Sequence, residues 1–149
     1  MEHVIVRREP TGYWLDPGPY LEALNTLGPL LPAGARAYAL DRDHYDFYSN
    51  RCVKDLRVES IVADDDAGSA RLALSPNAFK HDEALIVEYH GVESLAITRE
   101  RDPGVGWFGS VLLDELVPAA PGVSHELVLT GGLIRVVARD LTARWEAAN

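Results

Sequence analysis

Four stretches of the chain carry side chains suited to chemistry. Asp41-Arg42-Asp43-His44-Tyr45-Asp46 groups carboxylates with an imidazole, donors that suit a hard cation. A calcium loop of EF-hand type needs glycine at its sixth position and a bidentate acid at its twelfth. Here those places hold Asp46 and Cys52, so the pattern fails. A looser oxygen site is then weighed against helix capping and solvated loop charge. Asp64-Asp65-Asp66 precedes Ala67-Gly68, and turn chemistry already explains it. Ser124-His125-Glu126 holds the residue types of a hydrolytic relay. In a strand, however, successive side chains point to opposite faces, so the three cannot act together. His125 reads as a hydrogen-bonded core histidine, or else as part of a pocket at the open end of a sheet.

The fourth stretch, Gly104-Val105-Gly106-Trp107-Phe108-Gly109, matches GxGxxG. Dinucleotide binding needs a strand before it and a helix of real length after it. Only Ser110 to Val117 is available before Pro118, so a turn-rich loop is the better reading. Cys52 stands alone, which rules out an intrachain disulfide. As a nucleophile it would need a neighbouring base and a lowered pKa, and His44 is near it only in sequence. No catalytic residue, cofactor or metal is assigned. Trp107, His44 and Tyr45 are the candidates for a binding surface, since an exposed aromatic is a natural hot spot.

The elements that must position these residues read as mainly β. Val4-Ile5-Val6 suits a short strand ended by Pro10 and Gly12. Tyr20, Leu24 and Leu27 share a helical face behind Asp16, a plausible N-cap, and Gly28-Pro29 stops that helix. Ala35 to Leu40 adds a short helical stretch, and residues 41–51 form a structured loop. From residue 53 onward, short alternating runs are separated by Asp, Gly and Pro turns, with Gly91 read as one of those turns. Val111 to Val117 reads as a buried run. Gly131-Gly132 reads as a two-residue type I′ turn. That turn sets Leu129 opposite Ile134, Leu127 opposite Val136 and His125 opposite Ala138, and it puts Glu126 diagonal to Arg135 and Arg139. The expected fold is an antiparallel sheet, curled or folded into a sandwich, with one or two short helices near the N-terminus (α+β in the broad sense).

The chain has 149 residues and a net charge of −9, the size of one domain, 1–149. The acidic excess is spread along the sequence, and only Lys54 and Lys80 are lysine. A phosphate-binding face needs clustered cations, so nucleic acid is a poor ligand, and anionic membranes are disfavoured by the same sign. No apolar run is long enough to span a bilayer. The lone cysteine and the charged N-terminus suit a cytoplasmic setting.

Taken in order, Cys52-Val53-Lys54-Asp55-Leu56, the hydrophobic hairpin, Gly91-Val92, Leu113-Asp114-Glu115, Ser124-His125-Glu126, Gly131-Gly132 and Asp140-Leu141 to Trp145 resemble a family of small bacterial β-rich proteins. Some of its members are similar to immunity proteins of polymorphic toxin systems. The resemblance covers about residues 45–145 and leaves the first 40 outside it. It implies no established activity. It makes Asp55, Glu115, His125 and Asp140 a polar cluster to test. The functional expectation is a non-enzymatic interaction domain with a protein partner, a basic one in the immunity-protein version. The alternatives are a small-molecule or hydrolytic pocket in a β scaffold, and a structural homodimer rather than a monomer.

Overall fold

The computed structural model describes residues 1–100 and 108–148. It has a two-stranded hairpin, β1 (Ile5–Glu9) and β2 (Gly12–Asp16), followed by α1 (Gly18–Leu27), a 3-10 turn (Gly28–Leu30) and α2 (Ala33–Ala39). Then come β3 (Arg57–Asp64), β4 (Ser69–Ser75), β5 (Glu83–Arg99), β6 (Val111–Ala119), β7 (Gly122–Leu129) and β8 (Gly132–Ala147). The last six strands form one antiparallel sheet in the order β3-β4-β5-β8-β7-β6. The fold is mainly β, as expected. The sheet curls until its two edges touch at a single bridge, Arg57 to Ser110. Two hydrogen bonds fasten the seam, from Val111 N–H to Leu56 O (2.7 Å) and from Asp55 N–H to Val111 O (2.9 Å). Beyond that point the sheet stays open.

The concave face holds the core, including Leu72, Leu85, Val87, Leu116, Leu127, Ile134, Val136 and Leu141. Tyr20 and Leu24 of α1 and Ala35 of α2 pack into the same core. Asp16 does not cap α1 as the N-cap residue. That place falls to Pro17, and Asp16 Oδ1 instead accepts from Gly18 N–H (2.8 Å) in a local turn. The α2 helix lies against β8 at very short range. A Cβ on Gly34 would stand 1.8 Å from the Leu141 carbonyl oxygen. Its first turn is capped from outside, because Asp140 on β8 accepts from Gly34 N–H (3.1 Å) and Ala35 N–H (2.9 Å).

Two glycines do different work from that expected. Gly91 does not end a strand, and β5 runs through it for 17 residues. Its φ of +64° accompanies a bulge between Val92 and Ser94, a conformation only glycine adopts without cost. The loop of the β7–β8 hairpin is Thr130-Gly131 rather than Gly131-Gly132. Leu129 pairs with Gly132, Leu127 with Ile134 and His125 with Val136. Gly132 is a strand residue because β5 crosses there, and a Cβ on it would lie 2.1 Å from Thr98 O. The register moves by two, so every side chain keeps its expected face. Glu126 now stands opposite Arg135, yet Arg135 Nε donates to Ser124 Oγ instead (3.1 Å).

Candidate functional site

Among the described residues, a concentration of interacting titratable groups deep in the interior centres on Asp114. Its side chain points from β6 into the core with no exposed surface. Oδ1 lies 2.7 Å from His44 Nε2. Oδ2 lies 2.8 Å from His125 Nε2 and accepts the Tyr38 hydroxyl (3.1 Å). His44 Nδ1 faces the Tyr38 carbonyl oxygen at 2.8 Å. Both partners of His44 are acceptors, so its ring carries two protons and forms an ion pair with Asp114. His125 Nδ1 lies 2.7 Å from the Tyr89 hydroxyl. The His125 ring therefore bridges the Tyr89 hydroxyl and the Asp114 carboxylate.

Stacking and burial tune this network. The His44 ring is sandwiched between Tyr38 at 4.0 Å and Tyr45 at 3.9 Å, a favourable seat for a cationic ring. Burial pushes the Asp114 pKa up, but the His44 charge and the hydrogen bonds from His125 and His44 outweigh it. The carboxyl is thereby held well below the usual carboxylate range. Burial, reinforced by the Asp114 charge, raises the hydroxyls of Tyr38, Tyr45 and Tyr89 far above the ordinary phenol value. They remain hydrogen-bond donors at any physiological pH.

Tyrosines also complete the outer edge of β6. The Tyr20 hydroxyl donates to Leu116 O (2.6 Å) and accepts from Leu116 N–H (3.2 Å). Tyr45 donates to Asp114 O (3.0 Å). Two hydroxyls thus stand where a further strand would bond. Among the described residues no buried side-chain nitrogen or oxygen lacks a partner. A network this complete fastens α1, α2 and the 41–52 loop to the sheet. It presents no atom to a ligand.

The structure sends the sequence candidates to separate places. His125 belongs to the Asp114 network and has no exposed surface, so the pocket expected around it does not open there. Glu115, on the other face of β6, accepts from the amides of Glu2 (2.7 Å), His3 (2.6 Å) and Val4 (2.8 Å). Asp140 caps α2. Asp55 pairs with Lys54 (2.9 Å) and Lys80 (3.3 Å) in a left-handed backbone with φ of +76°. Burial alone would raise its pKa, but the two lysines bring it below the usual value. These four residues share no hydrogen bond or ion pair with one another, because each answers a different backbone or charge demand.

His44 and Tyr45 are buried, at 2% and 7% exposure, so neither presents an exposed ring, although Tyr45 lines the floor of a surface groove. The ion pair and the stacked rings draw them inward. Trp107 lies outside the described residues. Cys52 is buried, and burial raises its thiol pKa. Its neighbours are the Lys54 carbonyl (3.6 Å) and, through its own carbonyl, His81 Nε2 (2.9 Å). No group of three or more His, Cys, Asp or Glu among the described residues is placed to hold a metal. Asp114, Tyr38 and Tyr89 escaped the sequence reading. The signal for Asp114 was present, since an acid inside a run that reads as a buried strand must find a partner.

The surface is where unsatisfied groups gather. Tyr48 and Phe79 are both 100% exposed. They sit on loops 41–52 and 76–82, which are joined by Asn50 to Asp82 (2.7 Å), while Arg51 of the first loop reaches Glu83 at the start of β5 (2.8 Å). Near Tyr48 runs a groove of about 320 Å³ lined by Leu21, Leu24, Leu40 and Tyr45 together with Asp41, Arg42 and Asp46. Among the described residues no helix is long and apolar enough to cross a membrane. No family model matches the chain, and a comparison with curated proteins finds no match.

Proposed function

We propose that the chain is a non-enzymatic binding domain that docks a protein partner through loops 41–52 and 76–82. Its most concrete form is an immunity protein that neutralises a basic toxin domain. The observation that carries this reading is the complete exposure of Tyr48 and Phe79 on loops that are otherwise pinned. Burying such a ring on a partner gains on the order of 1.5–3 kcal/mol. Pinned loops lose little entropy when they dock, and aromatic anchors in rigid surroundings dominate interface energies. The net charge of −9 favours a basic partner and speeds the encounter. The single buried thiol supports a reducing, cytoplasmic setting.

Neutralisation is the test. The chain is co-expressed with the basic effector domain encoded beside it, and the purified pair is titrated by calorimetry. Growth should be rescued, and Tyr48→Ser with Phe79→Ser should weaken the complex roughly tenfold or more without lowering Tm. An adjacent reading frame that encodes no effector, or a complex indifferent to both substitutions, overturns the proposal.

A further inference from the structure

We infer that the groove near Tyr48 is a subsite for an arginine side chain of the docking partner, an inference that rests on the docking reading above. Leu21 and Leu40 are 44% and 54% exposed, so the groove offers apolar surface without a covering group. An arginine stem lays its methylenes on such a surface while its head seeks acceptors. The head would meet Asp41 and Asp46, which line the same groove.

Both carboxylates are already aimed. Asp41 Oδ1 accepts from Asp43 N–H (2.9 Å), and Asp46 Oδ1 accepts from Tyr48 N–H (3.0 Å). Among the described residues the second oxygen of each accepts no hydrogen bond, which leaves it for a guanidinium, whose planar fork suits carboxylates better than an ammonium does. The bond from Tyr48 also ties the groove to the exposed aromatic, so the partner's arginine and its apolar contact would be read by one loop. Arg42 lines the same groove and, among the described residues, makes no ion pair, so its guanidinium is the internal competitor for these oxygens.

The probe is Ac-Leu-Arg-Leu-amide, compared with the peptide carrying citrulline in place of arginine. Citrulline keeps the shape and loses the charge. Both are titrated into the ¹⁵N-labelled full chain. Resonance shifts are expected at Leu21, Leu40, Asp41 and Asp46, with the arginine peptide binding roughly tenfold more tightly. Asp41→Asn with Asp46→Asn should abolish that preference, and Arg42→Gln should strengthen binding of the arginine peptide. Equal affinity for the two peptides, shifts confined to another face, or no shift at all overturns the inference. Tyr48→Ser with Phe79→Ser should leave peptide binding intact. Failure of the groove alongside intact partner docking therefore sinks only this inference, and loss of docking with an intact groove sinks only the docking reading.

Discussion

The Tyr20 hydroxyl occupies the position of a neighbouring strand against Leu116, giving its proton to the carbonyl at 2.6 Å and receiving the amide at 3.2 Å. An edge strand ordinarily leaves such groups open to pairing with another chain. Here a side chain from α1, 96 residues away in sequence, closes the edge and fixes the helix in a single step.

Removing that hydroxyl should therefore cost more than an average hydrogen bond. Tyr20→Phe leaves a buried amide and a buried carbonyl without partners, a penalty of about 1–3 kcal/mol. Denaturant unfolding checks the magnitude. Hydrogen exchange at the Leu116 amide checks the place, because it should become the most accelerated amide of β6. Unchanged exchange there would refute the edge-closing role.

Asp114→Asn should be the most damaging conservative change in the chain. It strands the His44 imidazolium in the core, and breaking a buried pair costs about 3–5 kcal/mol. The pH dependence has a definite sign. The folded-state pKa of Asp114 is depressed, so its stabilisation is complete above the unfolded carboxyl value of about 3.9. It is lost as pH falls below that value toward the folded one. The stability gap between wild type and Asp114→Asn should shrink as the pH falls below about 4. A gap that stays constant into strong acid would contradict the ion pair.

His81 acts in a different window. Its Nε2 lies 2.9 Å from Cys52 O, and its Nδ1 accepts from Asn77 N–H at 3.1 Å. Those two partners require the neutral ring. Burial lowers its pKa, with the Lys80 charge acting in the same direction and the Cys52 carbonyl opposing it. A depressed histidine stabilises fully above the unfolded value of about 6.5 and progressively less as pH falls below it. The stability advantage of wild type over His81→Gln should accordingly decline between about pH 7 and 5. An advantage that grows over that range would reverse the assignment.

Gly34→Ala tests how closely α2 sits on β8. The added methyl would fall 1.8 Å from the Leu141 carbonyl oxygen, and a backbone atom cannot swing aside. The helix must retreat, which also lengthens the cap from Asp140. A loss of roughly 3 kcal/mol or more is expected from such overpacking. Asp140→Asn, which removes charge but not bulk, should cost less. Thermal or denaturant unfolding of the two variants settles the order.

Local rules sufficed wherever a feature depends on near neighbours along the chain. Alternation placed His125 on the inner face, turn residues separated the strands, and the spacing of Tyr20 and Leu24 announced α1. Those rules reach only a few residues, and they fell short where two distant backbones approach. Gly91 and Gly132 looked like turns because glycine usually marks one. Their true reasons are the bulge facing Arg139 and the carbonyl of Thr98, neither visible before β5 meets β8. The Asp114 network is the larger case. The buried run of β6 was legible, but the need of Asp114 for partners was passed over, and the choice of His44, His125 and Tyr38 required the loop, β7 and α2 to be brought together. A buried charge is satisfied by whatever the topology sets within about 3 Å, and that separation in space bears no relation to the separation in sequence.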